Sequence, residues 1–297
     1  MSLKDHLYDL RSRLAWGLLF IAVGAVFGYF WWSWHLFNLP SLGDVVIAPY
    51  CGIPVDYRLH QGNVDCQLLQ TEPFEAFMIR LKVGAAAGMA LTAPLWLNQV
   101  WRFIAPGLYS KERKFALVFV FAASVLFVCG AVLAFYVVPQ GLNVLIGFGD
   151  EKFLTALSGG AYINFVLALL LIFGVSFELP LIVVMLNQVG IVSYEKLHKW
   201  RRGIIFALFV FAAFATPGTD PISMVFLAVA LTLLFEVAIQ IARVHDRRKA
   251  KRLAAEGLAE LDDNEAAPFD YTPSSVEDDP VPPPKVEAKR VDYDDAT

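Results

Sequence analysis

Apolar residues in this chain gather into runs long enough to cross a lipid bilayer. Those near residues 14 to 36, 74 to 101, 115 to 138, 162 to 187 and 221 to 242 each reach the ~20 residues that a spanning helix needs. A shorter apolar run, Gly203 to Ala215, lies between Arg201 and Arg202 on one side and TPGTDP on the other. The pattern predicts an all-α polytopic membrane protein, with five clear spans and one whose length alone leaves it open.

The basic residues settle that sixth span, because Lys and Arg mark the cytoplasmic side of a membrane protein. Six spans put Lys4, Arg11 and Arg13, the 102–114 cluster, the 196–202 cluster and the 243–252 run all on one face. The loops of the other face, 37 to 73, 139 to 161 and 216 to 220, hold only Arg58 and Lys152, with Arg80 and Lys82 at an outer helix end. Five spans would bring the basic 243–252 run to the side that carries Asp150 and Glu151. The reading is therefore six transmembrane helices with both termini cytoplasmic, the bilayer thinned around the short one. The first apolar run is too long for a cleavable signal peptide and lacks a small-residue cleavage site, so it is expected to stay as an anchor.

Composition agrees: 57% of the 297 residues are hydrophobic, with 24 Phe and a mean hydropathy of +0.55, more than one soluble core requires. The net charge of −4 conceals two regions. Residues 253 to 297 hold 3 Lys/Arg against 13 Asp/Glu, with six prolines, and should form a disordered cytoplasmic tail. Ahead of it stand a basic juxtamembrane segment at 243 to 252, the membrane domain at 14 to 242 and a short N-terminal segment at 1 to 13. In that first segment Leu3, Leu7, Leu10 and Leu14 recur at helical spacing, which predicts an amphipathic helix lying along the membrane surface before the chain turns in.

Candidate chemistry is sparse. The sequence has no HExxH, GxSxG or P-loop and no Cys/His pairing at ligand spacing; His6, His35, His60, His198 and His245 are scattered. Neither an enzyme, nor a metal site, nor a cofactor is expected, and nothing points to nucleic acid. Cys51 and Cys66 flank the first outer loop, where a disulfide closing that loop and two free thiols are both readings; Cys129 fits as a small core residue. Glu178 stands in LALLLIFGVSFELPLIVVML without a basic residue nearby, and a carboxylate near mid-bilayer costs at least ~2.5–3.5 kcal/mol. Glu236 in the last span carries the same argument. Glu112 is the only acid among Arg102, Lys111, Arg113 and Lys114. Either it caps a helix N-terminus, or it accepts a guanidinium through charge-assisted hydrogen bonds. Asp9, beside Arg11, puts a second acid on the same face.

Several blocks together resemble the TatC family, the polytopic core of the twin-arginine protein translocase: HLYDLRSRL at 6 to 14, AP at 48 to 49, QVWRFIAPGLYSKERK at 99 to 114, FGVSFELP at 173 to 180 and FE at 235 to 236. The match covers residues 3 to 242 in order. It implies a concave six-helix bundle with short fifth and sixth helices in the bacterial cytoplasmic membrane. It also implies binding of twin-arginine signal peptides of folded proteins, and work with TatA/TatB-type single-span subunits and further TatC copies in a proton-motive-force-driven assembly. By motif, Glu112, Asp9, Arg11, Phe103 and Pro49 fall at signal-binding positions, and Glu178, Thr216, Asp220 and Glu236 at intramembrane or partner-helix positions. Asp9 stands where relatives carry Glu, one methylene shorter; TPGTDP has one residue more than the usual TPPD; and Met224 replaces a polar Gln. A proton-coupled transporter using Glu178 or Glu236 is the alternative, but it predicts two similar halves, and the chain shows no internal repeat.

Overall fold

The computed structural model describes residues 3–35, 39–52, 66–104, 113–147, 158–217 and 220–255. The acidic tail expected to be disordered, and Glu112, lie outside these residues. Among them the regular structure is helical: α1 (Leu3–Trp31), α2 (Leu42–Cys51), α3 (Glu75–Leu91), α4 (Ala93–Ile104), α5 (Arg113–Gly147), α6 (Gly159–Ser176), α7 (Glu178–Gln188), α8 (Tyr194–Ala215) and α9 (Pro221–Ala255). One isolated parallel bridge pairs Leu69 with Ser158.

Four helical stretches are long and apolar enough to cross a membrane: Leu7–Trp31, Leu117–Leu145, Gly159–Gln188 and Pro221–Ala255. The predicted 74–101 span is two helices, α3 and α4, bent by 66°. Pro94 stands in the first turn of α4, and a proline there removes an N–H and clashes with the carbonyl four residues back, so α3 has to end before it. Pro180 acts likewise in the fourth span, where α6 stops at Ser176 and α7 starts at Glu178. In α8 the charged residues Glu195, Lys196, Lys199, Arg201 and Arg202 occupy the first turns, leaving the apolar part from Gly203 to Ala215 at about 20 Å of rise.

Three expectations are corrected. The N-terminal segment does not turn: α1 runs unbroken from Leu3 to Trp31, because the Leu spacing of 3 to 14 continues directly into the apolar run. The last helix is not short; α9 continues through the basic segment to Ala255, since no Gly or Pro stops it. The loop after α1 contains a helix, α2, that begins at Ser41, whose hydroxyl oxygen accepts the Asp44 N–H at 3.1 Å.

Packing fixes how these helices run. GAVFG at 24 to 28 in α1 faces GAAAG at 84 to 88 in α3 so closely that a Cβ on Gly88 would lie 2.3 Å from Ala25 N, and one on Gly28 2.6 Å from Gly84 O. Two small-xxx-small motifs meet backbone to backbone, the ordinary solution where lipid supplies no hydrophobic drive between helices. Gly24 opposite Gly88 and Gly28 opposite Gly84 make the pair antiparallel. Gly130 of α5 similarly meets the Phe173 carbonyl of α6, at 2.6 Å for a built Cβ. The largest core cluster joins α2, α5, α6 and α9 through Val46, Val138, Tyr162, Phe173 and Leu227, with the Tyr162 hydroxyl donating to the Val46 carbonyl at 2.8 Å. A second cluster joins α4, α5 and α7 around Trp101, Phe119 and Met185. A third packs Leu197 of α8 on Phe235 and Ile239 of α9.

Candidate functional site

The same glycine contacts decide which site residues meet. From Gly28 opposite Gly84 and Gly24 opposite Gly88, the chain reaches Trp96 of α4, whose Cβ lies 3.7 Å from a Cβ built on Gly17. Moving toward the α1 N-terminus is thus moving toward the α4 C-terminus. Asp9 and Arg11 of α1 and Phe103 near the end of α4 therefore share one end of the bundle. Glu112 directly precedes Arg113, the first residue of α5, and its own placement is outside the described residues.

At this end Asp9 is already engaged. Its Oδ2 accepts from Arg13 Nε at 2.7 Å, an i,i+4 pair with the carboxylate side chain 35% exposed. Such exposed helix pairs contribute only ~0.3–0.5 kcal/mol, so Arg13 orients Asp9 without closing it to a competitor. Arg11 is exposed and Phe103 half-buried.

The turn between α7 and α8 belongs to this end as well. Asp246 of α9 accepts from Asn187 Nδ2 at 3.0 Å and from the Tyr194 N–H at 2.8 Å, while Asn187 also donates to the Val192 carbonyl at 2.9 Å. Burial pushes the Asp246 carboxyl up, but the Tyr194, Asn187 and His245 hydrogen bonds outweigh it and hold the group below its ordinary value. The Arg243 guanidinium lies 5.9 Å from the Tyr194 ring centre.

Glu178 occupies the first turn of α7, where the helix dipole favours an acid. It is 9% exposed, and neither carboxylate oxygen has a hydrogen-bond partner. The helix break that Pro180 imposes sets it beside Phe177, which packs on Gly130 of α5.

The other residues grouped by sequence do not join either place. Glu236 is not a free intramembrane acid: its Oε1 accepts from Arg201 Nε of α8 at 2.5 Å. Thr216 and Asp220 are 4% and 0% exposed, so neither presents a surface to a partner helix here. The Thr216 hydroxyl donates to the Ala212 carbonyl, and Asp220 caps α9 by accepting from Ile222 N at 3.0 Å, Ser223 N at 3.1 Å and the Ser223 hydroxyl. With Pro221 at the first helical position, this is an Asp–Pro helix start. Pro49 lies within α2, beyond the end of α1 opposite Asp9, and is buried.

That opposite end is held by the disulfide the sequence offered as one reading and by contacts it did not announce. The structure joins Cys51 at the end of α2 to Cys66 in a disulfide, with Cα atoms 5.8 Å apart. Following Cys66, the Leu69 carbonyl accepts the Gly159 N–H at 2.7 Å. Glu75, 9% exposed, accepts from Thr71 N at 2.5 Å, Glu72 N at 3.1 Å and Gly160 N. One carboxylate thus ties the start of α3 to the start of α6. The Asp9–Arg13 spacing was readable as a helical pair. Arg201–Glu236, Asn187–Asp246 and Glu75–Gly160 join residues 35, 59 and 85 positions apart, with no local signal.

These features define a multi-pass α-helical membrane protein with a polar surface at one end and, among the described residues, a buried carboxylate without a hydrogen-bond partner at Glu178. The model of the Sec-independent protein translocase protein (TatC) family matches residues 5–229. The chain is 46% identical over 288 residues to TatC of Corynebacterium kroppenstedtii, covering 93% of this chain and 69% of that one. It is 42% identical over 291 residues to TatC of Frankia casuarinae, covering 97% and 76%. A crystal structure of the twin-arginine translocase receptor TatC in DDM superposes with a TM-score of 0.61 at 29% identity, covering 80% of this chain and 99% of that one. The chain belongs to the TatC family and is a subunit of the twin-arginine protein translocase.

Proposed function

We propose that this subunit is the receptor for twin-arginine signal peptides of folded proteins, and that the signal's arginines are received by Glu112 and Asp9. The observation that carries the reading is the antiparallel path of α1 against α3 and α4, which brings Asp9 to the end of the bundle from which the 105–112 segment departs. A guanidinium–carboxylate hydrogen bond contributes roughly 1.5–3 kcal/mol, more than the ~0.3–0.5 kcal/mol of the Asp9–Arg13 pair it would displace. Two such contacts at a partly hydrated surface give recognition while leaving release possible. Arg11 and Phe103 flank them. On this reading no covalent step is involved.

On this reading the chain sits in the bacterial cytoplasmic membrane with both termini cytoplasmic, which the Lys/Arg distribution supports. It works with TatA/TatB-type single-span subunits and with further copies of itself, driven by the proton motive force. Glu178 then serves as an intramembrane polar point for the inserted signal or a partner helix, its unpaired oxygens being the support.

The test is single exchange of Glu112→Ala and Asp9→Ala, with export of a folded reporter behind a twin-arginine signal and photo-crosslinking of that signal to the chain as readouts. Both should fall for Glu112→Ala and fall less for Asp9→Ala. Unchanged crosslinking and export in Glu112→Ala would remove that residue from the receptor.

A further inference from the structure

The start of α6 is held largely from outside its own helix. The first N–H groups of a helix have no partner within it. Here the Gly159 N–H donates to the Leu69 carbonyl at 2.7 Å and the Gly160 N–H to the Glu75 carboxylate, while the Ala161 N–H uses the Ser158 hydroxyl at 3.2 Å. Tyr162, in the same turn, is fully buried. Its ring centre lies 5.3 Å from that of Tyr50, and its hydroxyl donates to the Val46 carbonyl. Two pieces of chain therefore grip α6 at this end: α2, and the segment from 66 to 75.

The two grips are secured differently. α2 is a helix capped by Ser41, and its Leu42, Val46 and Tyr50 belong to the largest core cluster. From 66 to 74 the chain forms no helix and carries only the isolated Leu69–Ser158 bridge. That segment is flanked by two ties. At one side Glu75 of α3 accepts the Thr71 and Glu72 N–H groups; at the other Cys66 is bonded to Cys51. Cys51 directly follows Tyr50, and Cys66 stands three residues before Leu69, so the disulfide links one grip to the other. Both cysteines are half-buried rather than sealed in the core. A crosslink between residues 15 positions apart acts by removing freedom from the open state of the loop.

We propose that Cys51 and Cys66 are the substrate of an extracytoplasmic thiol–disulfide oxidase, and that their disulfide is a redox latch holding the outer grip on the start of α6. The thiolate of one cysteine attacks the oxidase disulfide to give a mixed disulfide. The thiolate of the other then attacks that bond, forming the Cys51–Cys66 bond and releasing the oxidase as a dithiol. Two electrons and, net, two protons pass from the cysteines to the oxidase. The inference rests on the topology proposed above, which puts this end of the bundle outside the cytoplasm, where thiols are oxidised rather than kept reduced.

The experiment uses the full translocase with Cys129→Ser, in intact cells, and a membrane-impermeant maleimide polymer. No adduct is expected until an impermeant reductant is added, and two afterwards. In cells lacking their extracytoplasmic thiol oxidases, both thiols should label without reductant; a chain fully oxidised in those cells overturns the oxidase assignment. Hydrogen exchange on the purified chain reads the latch. The Gly159 and Gly160 amides should exchange about tenfold or more faster after reduction. The Cys51→Ser/Cys66→Ser chain should match the reduced chain and ignore the reductant. Equal exchange before and after reduction overturns the latch, and because the reduced chain is made from folded protein, that comparison does not depend on the variant folding. Thiols labelled from outside without reductant overturn the proposal alone, whereas thiols that the polymer reaches only in inverted membranes overturn the topology beneath it as well.

Discussion

Replacing Gly88 with alanine should loosen the α1–α3 pair. The added Cβ would lie 2.3 Å from Ala25 N and 2.4 Å from Gly24 C, both backbone atoms that no rotamer change can move. Ordinary carbon contacts begin near 3.5 Å, so the helices must separate by about 1 Å. Overpacking of this kind costs roughly 1–3 kcal/mol. Against it stands the better helix propensity of alanine, up to about 1 kcal/mol. A net loss of about 1–2 kcal/mol remains, and larger side chains should lose more. Gly203→Ala is the internal control: its Cβ would meet only a Trp200 side-chain atom at 3.8 Å, so propensity acts alone and stability should hold or rise. Thermal unfolding of the purified protein in one detergent reads both, with a drop of about 2–8 °C expected for Gly88→Ala. A Gly88→Ala protein that melts with or above the unchanged chain would refute the backbone contact, and with it the register that brings Asp9 and the α4 end together.

Further expectations concern the two ends. The Asp246 carboxyl is held below its ordinary value in the folded chain, so its contribution is present above the unfolded carboxylate range near ~3.9 and is lost as pH falls through the lower folded value. Hydrogen exchange in the 189–193 turn should therefore accelerate below about pH 4, and Asp246→Asn should show faster exchange already at pH 7. Glu75→Ala leaves the Thr71, Glu72 and Gly160 N–H groups without their acceptor and should cost roughly 1–3 kcal/mol, read as earlier protease cleavage near residues 66 to 72. Arg13→Ala releases Asp9 from an exposed pair, so binding of a twin-arginine peptide should tighten by no more than about twofold in a direct titration; a tenfold change would mean that Arg13 does more than orient.

Hydropathy alone supplied the helical class and most of the apolar stretches long enough to span, because lipid requires backbone groups to be satisfied within the segment and because length and apolar content are local properties. Pro94 and Pro180 were visible too, yet whether each proline merely bends a span or ends one depends on neighbours that re-satisfy the freed backbone. The glycine motifs at 24 to 28 and 84 to 88 were present in the sequence, but nothing local says that they face each other. The intramembrane acids divide along the same line. Residue cost marked Glu178 and Glu236 alike, and only the approach of α8 to α9 gave Glu236 a partner in Arg201 while leaving Glu178 with none. Asp220, read as a point for a partner helix, is consumed by the start of its own helix. The sequence by itself determined that the chain is helical, which stretches are apolar enough to span and what charges they carry. Which charges meet was decided by tertiary structure, because pairing energy depends on distances between residues 35 or more positions apart, and for Arg201 and Glu236 that distance follows from the packing of Leu197 on Phe235 and Ile239.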